Sequence, residues 1–166
     1  YTPCYRREAG TYGSRDRGLM RLHQFNKVEM VQYTRSEDSD KAMEELVERA
    51  KMLVQDLGLR YRVVKLAAGD ISFAMAKTID IEVWLPYDKN WTEVSSISNA
   101  RDFQSRRANT RYKKADGGLE FVHTLNASGL ATPRLMVALL ETYQQEDGSI
   151  RVPDAIRTYV GKDVIS

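Results

Sequence analysis

Residues 40–57 repeat apolar side chains at helical spacing, through Met43, Leu46, Val47, Ala50, Val54 and Leu57. Such a set falls on one face of an α-helix. Gly58 ends it, and Ser36 or Ser39 is placed to cap its start. Residues 80–85 keep a different period: Ile81, Val83 and Leu85 alternate with Asp80, Glu82 and Trp84, as in a half-buried strand. Strand-like runs also occupy 2–8, 20–31, 60–67, 91–97 and 119–125. The first two are joined by a polar loop containing Gly10, Gly13 and Gly18, the turn chemistry of a long hairpin. Residues 101–110 suit a short polar helix. The stretch 130–145 is apolar nearly all round and predicts a buried helix, with Pro133 in its first turns. The tail, 146–161, reads as irregular. Strands outnumber helices and do not alternate strictly with them, so the pattern predicts an α+β fold with a mainly antiparallel sheet flanked by helices.

Length and composition fit this picture. The 166 residues, 42% hydrophobic and 29% charged, suit one domain spanning 1–166. The net charge of +2 is too mild to imply a polyanion partner, but the charge is clustered. Arg101, Arg106, Arg107, Arg111, Lys113 and Lys114 face only Asp102 in 101–114, and residues 1–27 are also basic. Such runs serve either as a solvated face or as a polyanion site. Cys4 is the sole cysteine and His23 and His123 the only histidines, too few for a Cys/His zinc site. No apolar run reaches the roughly 18–20 residues of a membrane span. The start, YTPCYRREAG, lacks the apolar stretch of a signal peptide. The expected setting is a reducing compartment, cytoplasmic or the matrix of an organelle. GxGxxG and GxxxxGK[ST] are absent, so a bound nucleotide would rely on side chains.

Several constellations can carry chemistry. Arg6 and Glu8 would share a face if their strand continues through them. They form either an exposed salt bridge or an anion grip with a carboxylate beside it. Arg21, Phe25 and Glu29, spaced by four, would line one strand face, where Phe25 is either core or a stacking surface for a base. Glu93, Ser95 and Ser96 lie near a predicted strand end and offer hard oxygens that suit Mg²⁺, or belong to a solvated edge. Asn126, Ser128 and Gly129 fall between a strand and the apolar helix, where Ser128 can act as a cap. Arg134, in the first turns of that helix, needs an anion, either an internal carboxylate or a ligand phosphate. His123 reads as a satisfied core residue. GxSxG, HRD and DFG motifs are absent, which excludes the serine hydrolase and protein kinase patterns.

These residues resemble one family in order and spacing. Cys4-Tyr5-Arg6-Arg7-Glu8-Ala9-Gly10, Arg17-Gly18-Leu19, His23-Gln24-Phe25 and Lys27-Val28-Glu29 resemble motif 2 of seryl-tRNA synthetases, which are class II aminoacyl-tRNA synthetases. The segments 67–77, 80–86, 93–112 and 122–153 are similar to the same family, and the last includes motif 3. The resemblance implies the class II catalytic fold and ATP-dependent activation of serine, followed by transfer to tRNA(Ser). It implies that Arg6, Arg7, Glu8, Leu22, Phe25, Glu93, Val94, Ser95, Ser96 and Arg134 bind ATP. Arg6 and Arg134 would be the catalytic cations, and Glu93 and Ser96 the Mg²⁺ ligands. Glu29, Asn126 and Ser128 would hold L-serine, and the motif 2 loop at Ser14, Arg15 and Arg17 would meet the tRNA acceptor end.

The family's coiled-coil arm, its dimer-forming motif 1 and a Thr-x-Glu loop all precede motif 2. This sequence starts at motif 2, so it reads as part of a longer, homodimeric protein. The alternative is a truncated, non-catalytic relative that binds RNA or protein.

Overall fold

A computed structural model of the chain describes residues 1–8 and 18–166. Its centre is a six-stranded antiparallel sheet. The strands are β1 (Thr2–Tyr5), β2 (Gln24–Thr34), β3 (Tyr61–Lys65), β4 (Lys77–Leu85), β5 (Asn90–Arg101) and, after two short strands, β8 (His123–Ala131). Their order across the sheet is β1-β2-β8-β5-β4-β3. The intervening β6 (Arg111–Lys113) and β7 (Leu119–Phe121) pair as a separate hairpin. Three helices accompany the sheet: α1 (Ser39–Asp56), the short α2 (Phe103–Ala108) and α3 (Thr132–Tyr143). The α+β architecture expected from the pattern is therefore the one observed.

Helix α1 buries the predicted stripe, with Met43, Ala50 and Val54 fully enclosed. That stripe joins Ile81, Val83, Ile97, Leu125 and Ala127 in one core. Side chains alternate along a strand, so Asn126 and Ser128 emerge on the opposite sheet face from Leu125 and Ala127. The two ends of the helical layer meet where Tyr143 Oη donates to the Leu57 carbonyl at 2.7 Å. Gly58 sits beneath that contact with φ +66°, and a Cβ there would lie 2.5 Å from Tyr143 Oη.

Several expectations need correction. Strand β1 ends at Tyr5, so Arg6 and Glu8 do not share a face by strand alternation. Glu8 instead takes a left-handed backbone, φ 51°. Strand β2 begins at Gln24, leaving Arg21 outside it after a 3₁₀ turn at Gly18–Met20. Neither Ser36 nor Ser39 caps α1: a 3₁₀ turn, Ser36–Asp38, leads into the helix, and Ser39 Oγ bonds the Ser36 carbonyl and the ring of His123. That last bond engages Nδ1 of His123, which is half-buried at the edge of the core, not enclosed in it as the sequence leads one to expect.

The predicted strand at 119–125 is two strands that break at Val122. Asn126, Ser128 and Gly129 belong to the second of them, so Ser128 caps nothing; the residue before α3 is Ala131. Glu93 and Ser96 lie within the central strand β5, not at an edge. Helix α3 is not buried all round. Ala138 and Tyr143 are buried, while Met136 and Leu140 remain 49% and 38% exposed. The tail holds a small ladder of β9 (Ile150–Arg151) with β10 (Val164–Ile165), bracketing α4 (Arg157–Val160).

Candidate active site

One face of the sheet carries a cleft of about 200 Å³ whose lining includes Arg6, Glu8, Leu22, Phe25, Glu29, Glu93, Ser96, Asn126, Ser128 and Arg134. With Arg21, which also lines it, eleven residues singled out in the sequence converge, from β2, β5, β8, α3 and the turns between β1 and β2.

Two strand irregularities explain the convergence. Along β2, Phe25, Lys27 and Glu29 share a face by plain alternation. On the neighbouring β8, Lys27 pairs with Ala131 but Glu29 pairs with Ser128, so β8 carries one extra residue there. This bulge brings both Ser128 and Ala131 to the cleft despite their odd spacing. The second irregularity lies in β5, where Ile81 pairs with Ser95 and Glu82 with Glu93, leaving Val94 extra. Glu93 and Ser96, three apart, consequently reach the same face.

The cleft has two chemically distinct ends. At one, the Arg6 guanidinium carbon stands 5.2 Å from the centre of the Phe25 ring. Arg6 is anchored by its own amide, which donates to the His23 carbonyl at 2.8 Å. Glu8 is held by Arg21 Nε at 2.6 Å. A ring with a guanidinium over it and a carboxylate nearby is a surface for a flat base and an attached anion.

At the other end, Glu29 is the hub. Asn126 Nδ2 donates to its Oε1 at 2.9 Å, Ser128 Oγ to its Oε2 at 3.4 Å, and Lys27 Nζ lies 2.7 Å from Oε2. An acid, an amide and a hydroxyl so arranged can receive a small polar ligand carrying an ammonium and a hydroxyl.

Where α3 meets β5, Arg134 Nη1 donates to the Glu93 carbonyl at 3.0 Å and approaches Glu93 Oε2 at 3.4 Å. This internal carboxylate is one of the two partners that the sequence leaves open for Arg134. Behind Glu93 and Ser96 lies Asp80, the cross-strand partner of Ser96. Burial pushes the Asp80 carboxyl up to about 6; the Ser96 hydroxyl opposes the shift, Glu93 and Glu82 add to it, and Arg134 opposes it.

Three candidates do not reach the cleft. Val94 and Ser95 are fully buried; Val94 is core, and Ser95 Oγ donates to the Ser128 carbonyl at 2.6 Å. Arg7 is exposed and is not part of the lining. Ser14, Arg15 and Arg17 lie outside the described residues. Sequence reasoning had not placed Lys27, Ala131 and Pro133 in the cleft. Lys27 was legible in principle, since it lies midway between Phe25 and Glu29 on one strand face.

The model of the tRNA synthetase class II core domain (G, H, P, S and T) matches residues 1–143. Among curated proteins, the chain is 58% identical over 164 residues to "Serine--tRNA ligase 2" of Clostridium acetobutylicum, covering 98% of this chain and 39% of that protein. It is 55% identical to the "Serine--tRNA ligase" of Elusimicrobium minutum, covering 99% of this chain and 39% of that protein. The chain thus spans about 39% of the length of these relatives. Among solved structures, the seryl-tRNA synthetase of Pyrococcus horikoshii complexed with ATP superposes with a TM-score of 0.93 at 43% identity, covering 98% of this chain and 37% of that one. The cytoplasmic serine-tRNA ligase of Naegleria fowleri in complex with AMP gives 0.91 at 33% identity, covering 99% and 39%. With the family model matched over 1–143 and the same fold found in these structures, the chain belongs to the tRNA synthetase class II core domain family (G, H, P, S and T).

Proposed function

We propose that this chain is the ATP- and serine-binding part of a serine–tRNA ligase, which activates serine as its adenylate and transfers it to tRNA(Ser). The observation that carries the reading is the cleft with a stacking and cationic end at Phe25 and Arg6, and a hydrogen-bonding end at Glu29, Asn126 and Ser128.

Adenine stacks on Phe25, with Glu8 beside its amino group and Leu22 at its border. The Glu29 carboxylate receives the serine ammonium, and Asn126 and Ser128 line the pocket for the rest of the amino acid. A site built to hydrogen-bond a hydroxyl rejects the analogue that lacks it, because its own polar groups are then left unpaired. A serine carboxylate oxygen attacks the α-phosphorus. The new P–O bond forms as the bond to the β-phosphate oxygen breaks, and pyrophosphate leaves. No protein nucleophile is needed; two anions must be brought together and their repulsion neutralised. Arg6 serves the α-phosphate and Arg134 the γ-phosphate. In the second step a ribose hydroxyl of the tRNA end attacks the adenylate carbonyl and AMP leaves.

Glu93 and Ser96 fit a divalent cation. Both are oxygen donors, and the β5 bulge puts both on the cleft. A cation held there would neutralise phosphate charge. We further propose that the longer protein is a cytoplasmic homodimer.

The test is serine-dependent ATP–pyrophosphate exchange by the longer protein. Exchange is expected with serine, not alanine, and is expected to fall at least 100-fold in Arg134→Ala. Undiminished exchange in that variant would remove Arg134 from the mechanism. Absence of exchange with any amino acid, together with salt-sensitive RNA binding, would favour a non-catalytic module.

A further inference from the structure

Asp80 lies on β4, one strand behind the cleft floor. It pairs across the ladder with Ser96, and such partners point to the same face of the sheet. Its side chain therefore rises beside the oxygens that line the cleft, yet the residue is only 8% exposed. Its Oδ1 is buried and has no hydrogen-bond partner among the described residues. The nearby charges are Glu82 on its own strand, Glu93 on β5 and Arg134 on α3. Arg134 is engaged by Glu93, and Glu82 by Arg62, so each cation nearby is directed at another carboxylate.

An enclosed carboxylate with one oxygen left without a partner opposes folding. The Ser96 hydroxyl and Arg134 offset the burial of Asp80 only in part, so the remaining compensation is sought in what the cleft binds.

We propose that Asp80 is a positioning residue for the cation that accompanies ATP, acting through the Ser96 hydroxyl. This rests on the ATP and cation reading above. A hydroxyl has one proton and two lone pairs. If Ser96 gives its proton to Asp80, its lone pairs turn toward the cleft, the orientation that a cation ligand needs. Glu93 is not free to do this, because its carboxylate already meets Arg134.

The test is calorimetric titration of ATP into the wild-type chain, Asp80→Asn, Ser96→Ala and the double variant at pH 7.5, each with and without Mg²⁺. Asn is nearly isosteric with Asp, so the fold should be retained; thermal unfolding of the ligand-free variant should give a Tm no lower than wild type. The tightening of ATP binding by Mg²⁺ is expected to shrink about 10-fold or more in Asp80→Asn, the usual effect of losing a partner behind a metal ligand. Affinity without Mg²⁺ should stay within about twofold. The double variant should lose no more than Ser96→Ala alone, because the two residues act in series.

Unchanged Mg²⁺ tightening in Asp80→Asn overturns the proposal, as does an equal loss with and without Mg²⁺, the mark of a merely structural role. Additive losses in the double variant overturn the route through Ser96. A wild-type chain that binds ATP with no response to Mg²⁺ overturns the cation reading beneath the proposal, and one that binds no ATP overturns the assignment of the cleft.

Discussion

The same carboxylate makes a quantitative prediction about stability in the absence of ligand. Asp80 is 8% exposed, and its carboxyl rises from 3.8 to about 6, chiefly through burial. A shift of about two units corresponds to ~3 kcal/mol, at 1.36 kcal/mol per unit. The sign follows from proton linkage. Below about pH 4 the carboxyl is protonated in both folded and unfolded chains, and burial carries no charge penalty. Between about 4 and 6 the unfolded chain has released the proton while the folded chain still holds it. The folded state then binds more protons, so stability falls as pH rises through this window, and the full penalty is present by pH 7.

Urea unfolding of wild type and Asp80→Asn, without ATP or Mg²⁺, at intervals from pH 4 to 7.5 isolates the effect. The amide has no charge to desolvate, so its stability relative to wild type should climb by up to ~3 kcal/mol across the window. Glu37, Asp102 and Asp147, whose carboxyls are held low by neighbouring hydrogen bonds, act in the opposite direction, but they are common to both proteins and cancel. A difference between the two proteins that stays flat with pH would refute the claim that burial outweighs the partners of the Asp80 charge.

Other outcomes follow from particular contacts. Gly58→Ala should destabilise the chain by roughly 2 kcal/mol or more in urea unfolding, from its left-handed backbone and the 2.5 Å approach to Tyr143 Oη. Tyr143→Phe alone should cost about 1–2 kcal/mol through the lost bond to the Leu57 carbonyl, and should soften the Gly58→Ala penalty when the two are combined. Phe25→Ala should weaken ATP binding by about 1–3 kcal/mol in calorimetry, the worth of one stacked base. Glu29→Gln should raise the serine KM for exchange at least 10-fold with little change in the KM for ATP, because the charge it removes sits at the end of the cleft away from Phe25.

The fold class was legible because the chain uses two clean periods. The 3.6-residue stripe of α1 and the two-residue alternation of β4 both appear where expected, since each element buries one face against the same core. Helix α3 misled for a physical reason. Its run of Leu, Met, Val and Ala is apolar enough for burial, but only part of its surface meets the sheet, leaving Met136 and Leu140 uncovered in this chain. The break at Val122 was invisible because 119–125 looks like one strand, while its first half pairs in a local hairpin and its second half enters the main sheet. The site residues were found by resemblance and residue type more than by pattern. Periodicity alone would have grouped Glu93 with Ser95, yet Ser95 is core and Ser96 is the residue on the cleft.

That last point ties the architecture to the chemistry. A regular antiparallel sheet offers functional side chains only at even spacing along each strand. This cleft needs a carboxylate and a hydroxyl close together on β5, and a hydroxyl on β8 near the entry of Arg134. Each is delivered by one extra residue, Val94 in β5 and one beside Gly129 in β8. Both bulges lie in the two central strands, flanked by paired neighbours on each side. The surrounding ladders fix the register, so the displaced side chains are held by the sheet and not by a loop. Deleting Val94 would remove a core side chain and restore regular pairing in β5, with Glu93 and Ser96 then two apart and on one face by plain alternation. The cleft would keep both candidate cation ligands, so where the chain still folds ATP binding should keep its response to Mg²⁺ in calorimetry; loss of that response would mean that the bulge sets the distance between the two oxygens and not merely their face.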